Sequence, residues 1–352
     1  MENKKLLKKL SETNGISGFE ENLADIIEKV FEPYSDRITK DSLGNLTATK
    51  WADNNQDQTI DLMLAAHMDE IGLMVKSVNE DGFIRFTNIG GVDPRTLLAQ
   101  EVIIHGNEDI TGIIGAKSPH LLSSKERSKA PELKKLYIDT SLNKEKVKEL
   151  ITIGDMITLK REFMNLKNDF VSGKALDDRA GVVMLYECFK ELSYLKSKVN
   201  VHAVATVQEE VGVRGANTST YNIDPDIGIA VDVCHGDMPG VENDLVVEMN
   251  KGPAIAFGPH VHQNIYKKMK SIAEDIGIPY QVEPWPHPAG TDAWAIQISK
   301  SGVASALVSI PLRYMHTSVE TISMKDVRSG GKLLAQFIAR IDSDFVEGLR
   351  CY

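Results

Sequence analysis

Two imidazoles and a series of carboxylates sit where apolar runs of this chain end. His67 follows the run from Ile60 to Ala66, Glu209 and Glu210 follow the run from Val199 to Val207, and Asp232 follows the run from Ile227 to Val231. Asp177 and His316 lie at further element ends. In an open α/β sheet the ligand crevice lies beyond the carboxyl ends of the strands, so side chains placed there converge. A charged residue after each of three apolar strands costs desolvation unless something compensates it, and bound cations would. Two histidines with three or four carboxylates form a nitrogen and oxygen set suited to a pair of Zn²⁺, Co²⁺ or Mn²⁺ ions. Such a pair is best served by one bridging carboxylate and one spare carboxylate as base, and this set supplies both. The cations lower the pKa of a shared water towards ~7, while the base takes the water's proton and returns it to a leaving amine. Amide hydrolysis is a reaction that uses all these parts.

Taken singly, each residue has a plainer role. A histidine at a strand end is more often a hydrogen-bonded structural group than a ligand, and Asp177-Asp178 opening a helix is an ordinary N-terminal cap. Adjacent residues on a regular strand face opposite ways, so Glu209 and Glu210 share one site only if the strand has ended, which Gly212 allows. It is the joint position of the set that carries the argument.

The elements that must hold these side chains follow from periodicity. Leu6, Leu7 and Leu10, then Leu23, Ile26, Ile27, Val30 and Phe31, predict two short helices either side of a break at Gly15 to Gly18. Leu43 to Thr49 and Ile60 to Ala66 read as strands, Ala175 to Leu195 as a helix, and Val199 to Val207 and Ile227 to Val233 as strands buried on both faces. Val261 to Ile276 and Met324 to Ile341 read as further helices. Between Gly72 and Phe163 the texture changes to short β-type runs punctuated by glycine. The expectation is an α/β catalytic domain, residues 1–71 and 164–352, interrupted by a small β domain at 72–163. The charge-dense stretch from Ser124 to Lys148 reads as a solvated surface loop, and Gly90-Gly91 as a turn.

Composition limits the function. With 40 Lys+Arg against 50 Asp+Glu the formal charge is −10, which repels a phosphate backbone, so nucleic acid is not an expected partner. Hydrophobic residues at 42% and charged residues at 26% are ordinary globular usage and exclude extended disorder. The opening residues carry no apolar run of signal-peptide length, and no ~18-residue apolar run suggests a membrane span. The three cysteines, Cys188, Cys234 and Cys351, are widely spaced without a C-x-x-C pair, which fits a reducing cytoplasm. Phosphate-loop, G-x-S-x-G and H-E-x-x-H motifs are all missing, so NTPase, serine hydrolase and helix-borne zinc protease lose their usual support.

The ordered blocks Ala65-Ala66-His67-Met68-Asp69-Glu70-Ile71-Gly72, Ala175-Leu176-Asp177-Asp178-Arg179, Gln208-Glu209-Glu210-Val211-Gly212, Asp232-Val233, Gly290-Thr291-Asp292 and Arg313-Tyr314-Met315-His316 resemble the glutamyl aminopeptidase family. This family includes the tetrahedral aminopeptidases and proteins labelled endoglucanase M. The resemblance spans nearly the whole chain. It implies a mixed-sheet, zinc-peptidase-like catalytic domain with an inserted small β-barrel used for oligomerisation. It further implies two divalent cations per subunit, zinc or cobalt. His67, Asp177 and Asp232 would hold one, with Asp177 bridging to a second held by Glu210 and His316. Glu209 would be the general base and acid. Asp69 would accept a hydrogen bond from the His67 imidazole and fix its tautomer, and the Asp177-Asp178 peptide bond would be cis.

The expected function is therefore a cytoplasmic aminopeptidase acting on short peptides, assembled as a tetrahedral dodecamer. Its rivals are a glycoside hydrolase and a catalytically silent metal-binding shell protein. Two carboxylates suffice for the first, which leaves His67 and His316 without a role; the second does not require Glu209. At the margins, Cys234 reads as a small core residue that a soft metal could exploit. His235, His260, His262 and His287 read as structural unless they touch substrate, and Trp294 as a pocket wall or a packing residue. Lys174, Arg214, Lys251 and Arg313 are the candidate cations for a first pocket that prefers acidic side chains.

Overall fold

The computed structural model describes residues 3–53, 60–242, 246–286 and 290–349, which leaves His287 and Cys351 outside the described residues. Strands β1 (Arg37–Lys40), β2 (Leu46–Lys50) and β3 (Asp61–His67) come first. They are followed by β4 (Gly72–Val78), β5 (Ile84–Ile89), β6 (Glu101–His105), β7 (Asp109–Gly115), β8 (Tyr137–Asp139) and β9 (Met156–Leu159). Next are β10 (Met164–Asn165), β11 (Phe170–Gly173), β12 (Asn200–Thr206) and β13 (Ile227–His235). The last are β14 (Ala254–Phe257), β15 (Gln281–Pro284), β16 (Ala304–Arg313) and β17 (Glu320–Ser323).

The architecture is α/β. An eleven-stranded mixed sheet runs β1-β2-β12-β3-β13-β16-β17-β11-β10, with β14 and β15 joined to it at β16, and β4 to β9 close into a separate barrel. The middle of the large sheet, β12-β3-β13-β16, is parallel throughout. Its strands are almost wholly buried, as near-continuous apolar runs require. The helix Leu176–Leu192 packs on β3 and β13 and is itself covered by the helix Met324–Ala339. The short helices Arg214–Ile223 and Asp292–Gln297 pack against each other and the same strands. From β3 the chain places β12 on one side and β13 on the other, so β3 is a switch point, with its crevice beyond the carboxyl ends.

Several elements differ from the sequence expectation. The stretch from Ser124 to Lys148 is not simply a loop: it contains β8, whose Ile138 pairs with both β5 and β7, and most of a helix Lys144–Leu150 that buries Val147. Its dense charge decorates the outside of elements whose few apolar residues face the barrel core. Strand β16 was disguised by Pro311, which lacks a ladder donor. Pro311 is tolerated because β14 pairs with β16 only as far as Ser309 and β17 pairs with it only from Leu312, leaving that edge without a partner at residue 311. The helix expected from Val261 begins at Gln263, with His262 as its cap.

Candidate metal centre

Parallel register builds the first half of the centre. β12 pairs with β3 up to Thr206 and His67, whereas β13 leaves β3 after Ala230 and Ala65 and continues along β16 to His235. Asp232 is therefore inside a strand, not at its end, and stands where β13 parts from β3. Asp177 enters from the start of the helix Leu176–Leu192, where Ala175 is left-handed (φ 54°) and Asp177 and Asp178 depart from helical geometry. The peptide bond between these two aspartates is cis. His67, Asp177 and Asp232 each offer one ligand atom, all within 4.8 Å of one another. His67 Nε2 is 3.1 Å from Asp177 Oδ1.

Asp177, Glu210 and His316 form a second such group, with ligand atoms again within 4.8 Å. His316 Nε2 lies 3.3 Å from Asp177 Oδ2 and 3.4 Å from Glu210 Oε1. One carboxylate thus turns a different oxygen to each group. The other ring nitrogen, Nδ1, is 2.9 Å from the Gly91 carbonyl. That contact places a ring hydrogen on Nδ1 and leaves Nε2 as the nitrogen that faces the carboxylates. Gly91 lies just beyond β5, so the barrel reaches into the centre here. A Cβ on Gly91 would come 2.7 Å from His316 Nδ1, so no larger residue fits without displacing the ring.

Glu209 and Glu210 can share the site because β12 ends at Thr206 and Gln208 turns the chain through a left-handed conformation (φ 56°). Asp69 then fixes both. Its Oδ1 accepts from the Glu209 backbone N–H (3.0 Å), and its Oδ2 accepts from the Glu210 N–H (3.2 Å) and the Ser17 hydroxyl (2.6 Å). Glu20 accepts from the Gln208 N–H (3.2 Å). His67 Nδ1 is nearer the Asp69 backbone carbonyl (3.2 Å) than its carboxylate (3.5 Å), so the carboxylate's hydrogen-bonding capacity goes mainly to the loop carrying the two glutamates. Glu209 Oε2 is 4.0 Å from His67 Nε2, and Glu209 belongs to neither donor group.

The electrostatics test whether cations fit. Burial first, then the neighbouring carboxylates of Asp232, Asp292 and Glu210, push Glu209 up to about 10 against the pull of His67. Burial and Asp177 push Glu210 up to about 7, and burial drives Asp232 and Asp178 well above the usual carboxylate range. Burial also opposes the charge on Asp177, yet contact with His316 and His67 holds it below its ordinary value. His316 in turn rises to about 9, chiefly through Asp177. Asp178 Oδ2 and Asp292 Oδ1 are buried without a hydrogen-bond partner. A pocket this rich in buried carboxylate is under strong demand for positive charge, and two groups of nitrogen and oxygen donors sharing one aspartate fit divalent cations.

The remaining residues fall outside both donor groups among the described residues. Cys234 is buried and its thiol pushed up by burial. His235 is exposed, His260 stacks near Trp294 at 5.4 Å, and His262 bonds the Leu349 carbonyl. Lys174 is committed to a buried pair with Glu70, both carboxylate oxygens at 2.6 Å, and Arg313 to Asp237 at 2.8 Å; Arg214 and Lys251 are exposed. A surface hollow of about 800 Å³ between residues 258–264 and 301–305 contains none of the donors, so chemistry rather than volume marks this centre. Two supporting groups escaped the sequence reading: the Gly91 carbonyl, signalled only by a glycine pair after a strand, and Glu320, whose sole signal is a carboxylate four residues past His316.

Comparison with known proteins is consistent along the chain. Residues 44–333 match the profile of the M42 glutamyl aminopeptidase family. A lysyl aminopeptidase of Pyrococcus furiosus is 34% identical over 93% of this chain and 94% of its own. The aminopeptidase APDkam598 from the archaeon Desulfurococcus kamchatkensis superposes with a TM-score of 0.92 at 35% identity, over 99% of this chain and 98% of that one. The TET1 peptidase of Pyrococcus horikoshii, described as assembling into a tetrahedron or a large octahedral shell, gives 0.83 at 31% identity over 96% and 100%.

Proposed function

The chain belongs to the M42 glutamyl aminopeptidase family, and we propose that it releases residues from the free N-termini of short peptides at a pair of divalent cations. His67, Asp177 and Asp232 would hold one ion, and Asp177, Glu210 and His316 the other. The observation that carries this reading is the division of the Asp177 carboxylate, with Oδ1 turned to His67 and Oδ2 to His316. When bound, such a pair acidifies a water and withdraws charge from the carbonyl under attack.

The chain's own residues supply the rest. Glu209 is 9% exposed and belongs to neither donor group, so it is free to take a proton from the attacking water and hand it to the departing amine. Bound cations beside it would offset the burial and carboxylate neighbours that raise its proton affinity, leaving Glu209 ionised to act as base. Asp69 keeps Glu209 and Glu210 in register through their backbone N–H groups, and the Asp69 carbonyl beside Nδ1 turns His67 Nε2 towards the centre. A glycoside hydrolase would need no imidazole against the bridging carboxylate, and a silent shell protein no Glu209.

The donor set suits zinc or cobalt. The tetrahedral and octahedral shells of the P. horikoshii relative, with the exposed Ile113, Leu121 and Ile153 between β6 and β9, support a dodecamer whose barrels join subunits. Buried free Cys188 and Cys234 support a cytoplasmic setting. No helix among the described residues is long and apolar enough to cross a membrane. The test is to strip the protein of metal, resupply Zn²⁺, Co²⁺ or Mn²⁺, and assay a panel of aminoacyl chromogenic substrates. Activity that returns with about two ions per subunit supports the reading. Full activity in stripped protein, or with one ion at saturation, overturns it.

A further inference from the structure

Glu320 opens β17, four residues after His316, and is 2% exposed. Its Oε2 accepts hydrogen bonds from the backbone N–H groups of Leu176 (2.7 Å) and Asp177 (3.2 Å), and its Oε1 accepts from the N–H of His316 (2.9 Å). One side chain therefore ties the start of the helix Leu176–Leu192 to the turn after β16. Both segments are in the left-handed region here: Ala175 at φ 54°, Tyr314 at 62° and His316 at 60°. Each such non-glycine residue is strained and persists only where the surroundings hold it.

The chemistry of the clamp calls for a carboxylate. All three partners are donors reaching both oxygens, and an ionised carboxylate is the side chain that accepts at both ends without presenting a hydrogen of its own. The nearby ammonium of Lys174 acts on Glu320 only through space, since its 2.6 Å contacts go to Glu70. Burial and the nearby Asp177 push this carboxyl well above the usual range, against the backbone N–H groups and His316 that favour its charged form, so the clamp is costly to maintain. What it supplies in return is a fixed relation between the two segments that carry Asp177 and His316.

We infer that Glu320 is a positioning residue of the two-cation centre: without being a ligand, it sets Asp177 and His316 relative to each other through their backbones. This rests on the two-cation reading above. The test is Glu320→Gln, which keeps the shape but turns an NH₂ group towards at least one of the three N–H donors. Stripped wild type and variant are titrated with Co²⁺, following ion count and visible absorption, with thermal melting of the stripped proteins alongside.

The expected result is that one of the two ions binds roughly 10–100-fold more weakly in the folded variant, the scale seen when groups supporting metal ligands are lost. The Co²⁺ spectrum of that step should change, while the first ion binds near wild type. A merely structural role would lower the melting temperature but leave Co²⁺ affinity and spectrum at wild-type values, and that outcome overturns the inference. If the glutamine variant does not fold, Glu320→Asp is read the same way. It keeps the charge but is one methylene too short to span both segments, and loss of folding in both variants also overturns the positioning role. Wild type binding fewer than two Co²⁺ would overturn the two-cation reading itself, whereas two ions bound equally by wild type and variant would remove only Glu320's part.

Discussion

The two donor groups share Asp177 but are built differently. His67 and Asp232 come from neighbouring parallel strands in the middle of the sheet, and the His67 side chain is 3% exposed. Glu210 and His316 come from turns, and the His316 side chain is 34% exposed and held from outside the sheet by the Gly91 carbonyl. Two buried strands that part just before His67 and Asp232 hold the first group within the core. The second is assembled at the seam between sheet and barrel, from a loop, a turn and a backbone carbonyl. A centre made this way would have one ion site preorganised by the fold and one that depends on how the seam is set.

The largest effect should come from the residue the halves share. Asp177→Ala removes an oxygen from both groups, so ion content should fall well below one per subunit and turnover by roughly 10⁴-fold or more. Metal analysis and kcat check this; retention of two ions would break the idea of a shared ligand. Next come the adjacent glutamates. Glu209→Gln keeps the shape but loses the proton acceptor, so ion content should stay near two per subunit while kcat falls by roughly 10²–10⁴-fold. Glu210→Gln should instead lose one ion, with activity partly restored by excess cation. The reverse pattern of ion loss would exchange their roles.

A smaller effect separates the halves without mutation. Brief exposure of loaded protein to dilute chelator should remove the ion of the Asp177–Glu210–His316 group first, with a difference of roughly 10–100-fold in affinity or release. In Co²⁺-loaded protein the losses should follow two spectral steps. Simultaneous loss of both ions would mean that the seam costs the second group nothing.

Legibility in the sequence followed the same divide. His67 and the Glu209-Glu210 pair stood out because an apolar run stopping at a charged residue marks a strand end wherever the fold is α/β. Asp232 was found by the same rule although the strand continues past it to His235, because Val233-Cys234 is too short an apolar run to show on its own that β13 continues with a new partner. His316 was singled out at an element end, but nothing local to Tyr314-Met315-His316 foretells the two left-handed residues that turn it into the centre. The Gly91 carbonyl and the Glu320 clamp are contacts to backbone atoms across the chain, and side-chain type and spacing carry no record of such pairings. The barrel strand β8 was hidden by the lysines and glutamates around it, whose charge faces water while Ile138 faces inward.

The smallest predicted effect is also the most local test of the seam. Gly91→Ala adds one methyl 2.7 Å from His316 Nδ1 and 2.9 Å from its Cε1, closer than carbon normally approaches a ring. Either the imidazole tilts or the turn after β5 backs away, and both lengthen the 2.9 Å contact that places a ring hydrogen on Nδ1. The first group shares no atom with that contact except through Asp177. One ion should therefore weaken by about tenfold, the low end of the range for a lost contact to a metal-bound histidine, while the other is unchanged. The measurement is a Co²⁺ titration of Gly91→Ala against wild type, with Gly154→Ala as a control in the same barrel: its positive φ (101°) makes alanine a strain on the barrel, while nothing lies within 4 Å of its Cβ. If both variants weakened the same ion equally, the effect would be general loosening of the barrel. If neither did, the Gly91 carbonyl would be a bystander and the second group as self-sufficient as the first.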